Sequence, residues 1–356
     1  MRARHLALPS MLALAVPLRA QAVRGEVVDD GGRPVAAAFV ILQDAAGTSV
    51  ARALSDSAGG FVLRAGGPGT YTLRAERIGY ASAASPPLRL EEGTVLPFRM
   101  VVAGQAVALE AIVVGGATTC AVRARDDAAA AALWEEARKA LAVSAWTEHA
   151  ESLHVVATEF TRTLDRRGRK VVSEERRNYE GPTLNPFVSL DPEELARAGY
   201  RHTEGDVAWY YAPDARVLLS DGFLDTHCFR TERGRGATQG LLGLAFEPVR
   251  GRRVTDVAGT LWIDPRTAEL RHLEFGYRNL PRVDDFRGVG GRVEFRRLPT
   301  GAWIVERWRL RMPEVGRSFG GRPVLRGYRE VGGEVHSASR RRPPPDSVAA
   351  PAPEVR

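Results

Sequence analysis

The sequence predicts a mainly β protein: an N-terminal seven-stranded β-sandwich over residues 23–102, then an antiparallel β-sheet (α+β) domain with one covering helix over 126–335. Three observations predict it. Short apolar runs alternate with Gly/Asp clusters through the first hundred residues. One long Ala/Leu/Glu/Arg segment is followed only by β-prone stretches. Those later stretches alternate apolar with charged positions, which describes an antiparallel sheet with one wet face.

The chain opens on a basic start (Arg2, Arg4, His5), an apolar run from Leu6 to Leu18 and the small-x-small triplet Ala20-Gln21-Ala22. These are the three parts of a secretory leader cleaved before Val23, so residues 1–22 are expected to be a signal peptide. The expected location is periplasmic or extracellular, with association at the outer membrane as one variant. No later apolar run reaches the ~18 residues of a membrane-crossing helix, so an integral membrane protein is not expected.

Strands are expected at 23–28, 35–43, 49–54, 61–65, 71–77, 88–90 and 95–102. The connections between them, such as Asp29-Asp30-Gly31-Gly32 and Asp56-Ser57-Ala58-Gly59-Gly60, supply the turn backbone that short antiparallel links need. Phe61/Leu63 and Tyr71/Leu73/Ala75 each share one face by period two and are the expected filling between the sheets.

Several of these residues carry a family likeness: Gly25-Glu26-Val27-Val28-Asp29, Gly32-Arg33-Pro34-Val35, Ser55-Asp56-Ser57-Ala58-Gly59-Gly60-Phe61, Pro68-Gly69-Thr70-Tyr71-Thr72-Leu73 and Ile78-Gly79-Tyr80. In order and spacing this stretch resembles a carboxypeptidase regulatory-like domain. The resemblance implies a transthyretin-like sandwich, also grouped with starch-binding-like domains, and an accessory module without peptidase activity. The following run, Val107-Ala108-Leu109-Glu110-Ala111-Ile112-Val113-Val114-Gly115-Gly116, is similar to the segment after this module in TonB-dependent receptors. The several hundred residues of a plug and barrel are missing here, so this run is expected to be an extended linker or an extra strand, and residues 103–125 as a whole a linker.

A helix is expected from 126 to about 143, with Ala130, Leu133, Trp134, Ala137 and Leu141 on one face. Strands follow at 153–164, 169–179, 207–211, 216–219, 260–263, 270–277, 292–298, 303–312 and 324–331, and a short helix at 191–197 started by Asp191 and Pro192. The hairpin Gly259-Thr260-Leu261-Trp262-Ile263-Asp264 with Thr267-Ala268-Glu269-Leu270-Arg271 resembles lipoprotein-carrier-like half barrels, in which a curved sheet wraps a helix. That resemblance implies a concave apolar face for an acyl chain or partner peptide. The Pro/Arg-rich stretch 336–356 is expected to be a disordered tail.

Catalytic patterns are missing. None of the seven histidines begins HxxE or HExxH, and two distant cysteines make no zinc cluster, so no metal or cofactor is expected. Gly316-Arg317-Ser318-Phe319-Gly320 fits G-x-S-x-G, but Pro313 precedes it and a strand follows it, whereas a nucleophile elbow needs strand then helix. The net charge of +7 is carried largely by the leader (Arg2, Arg4, Arg19) and the tail, which leaves a near-balanced body and no footprint for nucleic acid. Cys120 and Cys228 are expected to pair in an oxidising compartment. The aromatic candidates for ligand contact are Trp209, Tyr210, Tyr211 and Trp303.

These features together point to an exported, non-catalytic binding or scaffolding protein of the periplasm or outer-membrane surface, with a protein partner in the cell envelope. The alternatives are a carbohydrate- or lipid-binding module, or an accessory to a hydrolase, carboxypeptidase or TonB-dependent receptor system.

Overall fold

The computed structural model describes residues 21–103, 109, 118–120, 127–149, 153–182, 187, 189–204, 207–280, 286, 288–317 and 321–340. Most of the expected leader, most of the 107–116 segment, Ser318 and the chain beyond Arg340 lie outside the described residues. The chain forms two compact units, one of residues 1–75 with 83–102, the other of 76–82 with 103–356.

The first unit contains β1 (Ala22–Asp29), β2 (Phe39–Asp44), β3 (Ser49–Leu54), β4 (Gly60–Arg64), β5 (Gly69–Glu76), β6 (Ala83–Ala84), β7 (Leu88–Leu90) and β8 (Val95–Val102). One sheet runs β4-β1-β8 and the other β3-β2-β5-β6, with β7 also on β5. Among the described residues the sandwich thus has eight strands, one more than expected, because Ala83–Ala84 adds a two-residue pairing to β5 that is too short to show a period. As the alternation predicts, Phe61, Leu63, Tyr71, Leu73 and Ala75 are buried, with Val23, Val27, Val40 and Leu42 among the other core residues.

Its turns rest on aspartate. Asp29 Oδ1 accepts from the backbone N–H of Gly31 and Arg33. Asp44 does the same for Ala46 and Thr48, and Asp56 for Ala58 and Gly60. Each carboxylate satisfies turn donors that no strand partner reaches. Gly59 closes its turn at φ +77°, and a Cβ there would also meet the Val27 carbonyl, so only glycine suits the position.

Among the described residues the second unit holds one ten-stranded sheet, a separate two-stranded hairpin and helices. Its elements are β9 (Thr118–Thr119), α1 (Ala128–His149), β10 (Leu153–Leu164), β11 (Val171–Gly181), α2 (Pro192–Ala198), β12 (Arg201–Glu204), β13 (Val207–Tyr210), α3 (Ala215–Leu219), α4 (Asp221–Thr226), β14 (His227–Arg233), β15 (Leu242–Pro248), β16 (Asp256–Ile263), β17 (Leu270–Arg278), β18 (Gly290–Arg297), β19 (Trp303–Arg317) and β20 (Pro323–Arg340). The order is β11-β10-β20-β19-β18-β17-β16-β15-β14-β9, with β12 and β13 as a separate hairpin. Strands β14 to β20 meander antiparallel, and the early strand β10 pairs with the last. Asp127 caps α1 by accepting from Ala130 N, and the helix buries the expected face: Ala130, Leu133, Trp134, Ala137 and Leu141.

Four expectations need correction. Residues 216–219 are helical, because Asp214 caps them through Val217 N at 2.9 Å and Ser220 immediately caps α4 through Phe223 N. β14 and β15 were not anticipated; β15 is buried at five successive positions, so no period of two is visible in it. Within 103–125, Thr118–Thr119 is a sheet strand on β14 rather than linker. The last strand runs to Arg340, inside the expected tail, since Ser337–Arg340 find backbone partners in Leu153–Val156 of β10.

The sheet's two faces differ as the alternation predicts. Val293, Phe295, Leu273 and Val305 point toward α1 and share a small cavity with Glu148 and Leu218. The opposite face carries a ladder of ion pairs, including Arg162–Glu174, Arg311–Glu330, Arg307–Glu334 and Arg292–Glu294.

Candidate ligand-binding cleft

The β12–β13 hairpin sets Trp209 opposite His202 and Tyr210 opposite Arg201. Tyr210 turns inward: it is buried, and its ring meets Tyr277 edge-on with centroids 5.5 Å apart. The Tyr277 hydroxyl donates to the Tyr211 carbonyl at 2.9 Å, which fixes the strand end. Burial pushes both the Tyr210 and Tyr277 phenols up, so they act as neutral donors and packing surfaces. With Tyr210 inward, strand alternation sends Trp209 outward, and it stays 49% exposed.

Trp209 and Tyr210 line a cleft of about 690 Å³. Met312, Pro313, Val315 and Val331 of β19 and β20 add apolar surface, and Arg317, Arg326 and Arg329 stand in the lining against a single carboxylate, Glu314. Met312 pairs with Arg329 and Leu310 with Val331, two rungs that share the α1-facing side of the sheet. The cleft offers an indole face, an apolar floor and net positive charge. That chemistry suits an apolar chain ending in an anionic head.

Of the residues singled out in the sequence, Trp209 and Tyr210 meet in this cleft. Tyr211 is half-buried and contributes its carbonyl to Tyr277. Trp303 is corrected: at 2% exposure it is among the largest fully buried side chains, a core residue with no face for a ligand. Met312, Val315, Val331 and the three arginines carried no local signal, because strands distant in sequence bring them to Trp209. Cys120 and Cys228 form the expected disulfide, closing a separation of 108 residues.

Among the described residues the histidines do not converge. His154 faces Glu180, His336 faces Thr158, and His227 is buried between the carbonyls of Phe223 and Val257 with Asp256 Oδ1 at 3.2 Å. Burial pushes the Asp256 carboxyl up, but His227 and Arg252 outweigh it and hold the group below its ordinary range. No group of three His, Cys, Asp or Glu placed to hold a metal ion occurs among the described residues. Nor is any helix among them long and apolar enough to cross a membrane.

The family model of the carboxypeptidase regulatory-like domain matches residues 22–103. Those residues form a carboxypeptidase regulatory-like domain. The regulatory-like domain is a non-catalytic module, and the Trp209 cleft lies outside it, in the second unit. Comparison with curated proteins finds no match. Among solved structures, similarity extends to 3-chlorocatechol 1,2-dioxygenase from Rhodococcus opacus 1CP (16% identity, 24% of this chain, TM-score 0.19), of whose length the chain spans 59%. It extends also to 5-hydroxyisourate hydrolase of Klebsiella pneumoniae (19% identity, 24% of this chain, 92% of that chain, TM-score 0.19). The major pilin subunit of Bacillus cereus is similar over 88% of this chain and 95% of its own, at 10% identity and TM-score 0.21. Similarities at this level carry no functional assignment.

Proposed function

We propose that the protein is an exported, non-catalytic binding protein of the cell envelope. Its second unit holds an amphipathic anion, an acyl chain with an acidic head, in the Trp209 cleft. The observation that carries this reading is the cleft itself: a half-exposed indole over an apolar floor, edged by three arginines, in a volume of about 690 Å³. Clefts of roughly 300–1,000 Å³ are the size that takes small-molecule ligands. The expected leader and the disulfide favour export, since bridges persist in oxidising compartments. The regulatory-like domain fits an accessory role beside a partner protein of the envelope. It carries no tryptophan, so carbohydrate stacking there has no support.

Displacement of a fluorescent fatty acid by long-chain carboxylates tests the proposal. Saturable binding is expected, weakened about tenfold or more by Trp209→Ala, in line with roughly 1.5 kcal/mol of lost apolar contact. Arg326→Gln with Arg329→Gln is expected to weaken carboxylates more than the matching alcohols. Absence of saturable binding, or binding indifferent to Trp209→Ala, overturns it.

A further inference from the structure

On the sheet face opposite α1, the Arg/Glu ladder has one irregular rung. In the flanking rungs an arginine of β19 faces a glutamate of β20: Arg307 with Glu334 at 2.6 Å and Arg311 with Glu330 at 2.8 Å. Between them Arg309 faces Gly332, and on its other side it faces a second arginine, Arg292. Arg292 is already held by Glu274 and Glu294. Arg309 is exposed, and among the described residues no carboxylate pairs with it.

The space above this rung is a cleft of about 550 Å³. Five arginines line it (162, 176, 292, 307 and 309) against two glutamates, Glu294 and Glu334. Gly332 has a packing reason as well: Phe160 is its partner on β10, and a Cβ at 332 would come within 2.5 Å of the Phe160 ring. The ring forms the floor, and the Arg162 guanidinium lies 4.1 Å from its centroid, tied to Glu174. A glutamate at 332 is thereby excluded, which leaves Arg309 beside Arg292 with no fixed counter-ion among the described residues.

We propose that this cleft is an anion-binding site, distinct from the Trp209 cleft, in which a ligand's carboxylate or phosphate completes the ladder by pairing with Arg309. The planar guanidinium suits either oxyanion through parallel N–H···O bonds. The arginines around it are held in place by their own glutamates, so the Arg309 guanidinium is the charge left to meet the ligand.

Calorimetric titration of the whole protein at low ionic strength, with inorganic phosphate in one arm and glucuronate in the other, tests it. Saturable binding in at least one arm is expected, and the arm that responds names the oxyanion. Arg309→Gln is expected to weaken that binding at least fivefold with the melting temperature unchanged, and Arg309→Lys to recover part of it. Trp209→Ala is expected to leave it intact, which separates this site from the amphipathic one. Failure of both arms, binding unaltered in Arg309→Gln, or loss of binding in Trp209→Ala would overturn the proposal.

Discussion

Glu136 and Lys139 form a 2.6 Å ion pair one turn apart on α1, with side chains only 1% and 2% exposed. Both are completed by the backbone of 76–82, which belongs to the same unit: Gly79 N donates to Glu136 Oε2 at 2.7 Å, and Lys139 Nζ donates to the Tyr80 carbonyl at 2.6 Å. Gly79 reaches this position at φ +80°, which is why the Ile78-Gly79-Tyr80 motif centres on glycine. Burial pushes the Glu136 carboxyl up against the pull of Lys139.

Removing one partner leaves the other buried and uncompensated. Lys139→Met is expected to cost about 3–5 kcal/mol, with part recovered in Glu136→Gln/Lys139→Met. Urea denaturation of wild type and the two variants measures it, and a Lys139→Met cost under ~1 kcal/mol would show the pair to be dispensable.

The Cys120–Cys228 bridge holds Thr118–Thr119 onto β14 and restrains a 108-residue separation. Cys120→Ser/Cys228→Ser is expected to lose on the order of 4–5 kcal/mol, as the chain-entropy model gives for a loop of this length. The comparison is of denaturation midpoints with and without reductant; wild type should fall toward the variant on reduction, while the variant stays put.

Two tryptophans expected to behave alike should separate. Trp209→Ala, at a half-exposed position, is expected to change stability by under ~0.5 kcal/mol. Trp303→Ala, in the core at 2% exposure, is expected to cost about 3–5 kcal/mol. Thermal melts of both variants decide it, and equal losses would contradict their placement.

Asp256 predicts an acid limb. Burial pushes its carboxyl up, yet its bonds to His227 and Arg252 hold it below the ordinary value of 3.8. A carboxylate depressed in the folded state stabilises fully above its unfolded pKa, and that stability fades as pH falls through the lower folded value. Stability should therefore decline below about pH 3.8, and Asp256→Asn should be less stable at neutral pH but show a shallower decline. Parallel curves for the two proteins between pH 5 and 2 would remove Asp256 from the account.

Much of the first unit is legible because its determinants are local. Asp29, Asp44 and Asp56 each close a turn within four residues, and the period-two rows of β4 and β5 name their own buried face. The short helix at 215–219 was hidden because its capping group, Asp214, precedes a β-prone apolar run and outweighs its propensity. At the cleft, Trp209 and Tyr210 stood out as an aromatic cluster, but Trp303 did not differ from them in type or local pattern.

By itself the sequence determined the β class, the Asp/Gly turns, the buried face of α1 and the charged alternation of the later strands, since each depends on residues a few positions apart. Only the tertiary structure decided that Trp209 faces a cleft while Trp303 fills the core. It likewise decided that 76–82 completes a buried ion pair on α1, and that Arg309 meets Gly332 instead of a glutamate. Those outcomes depend on strand register and on segments tens to hundreds of residues apart, and no local period encodes which distant side chain will stand opposite.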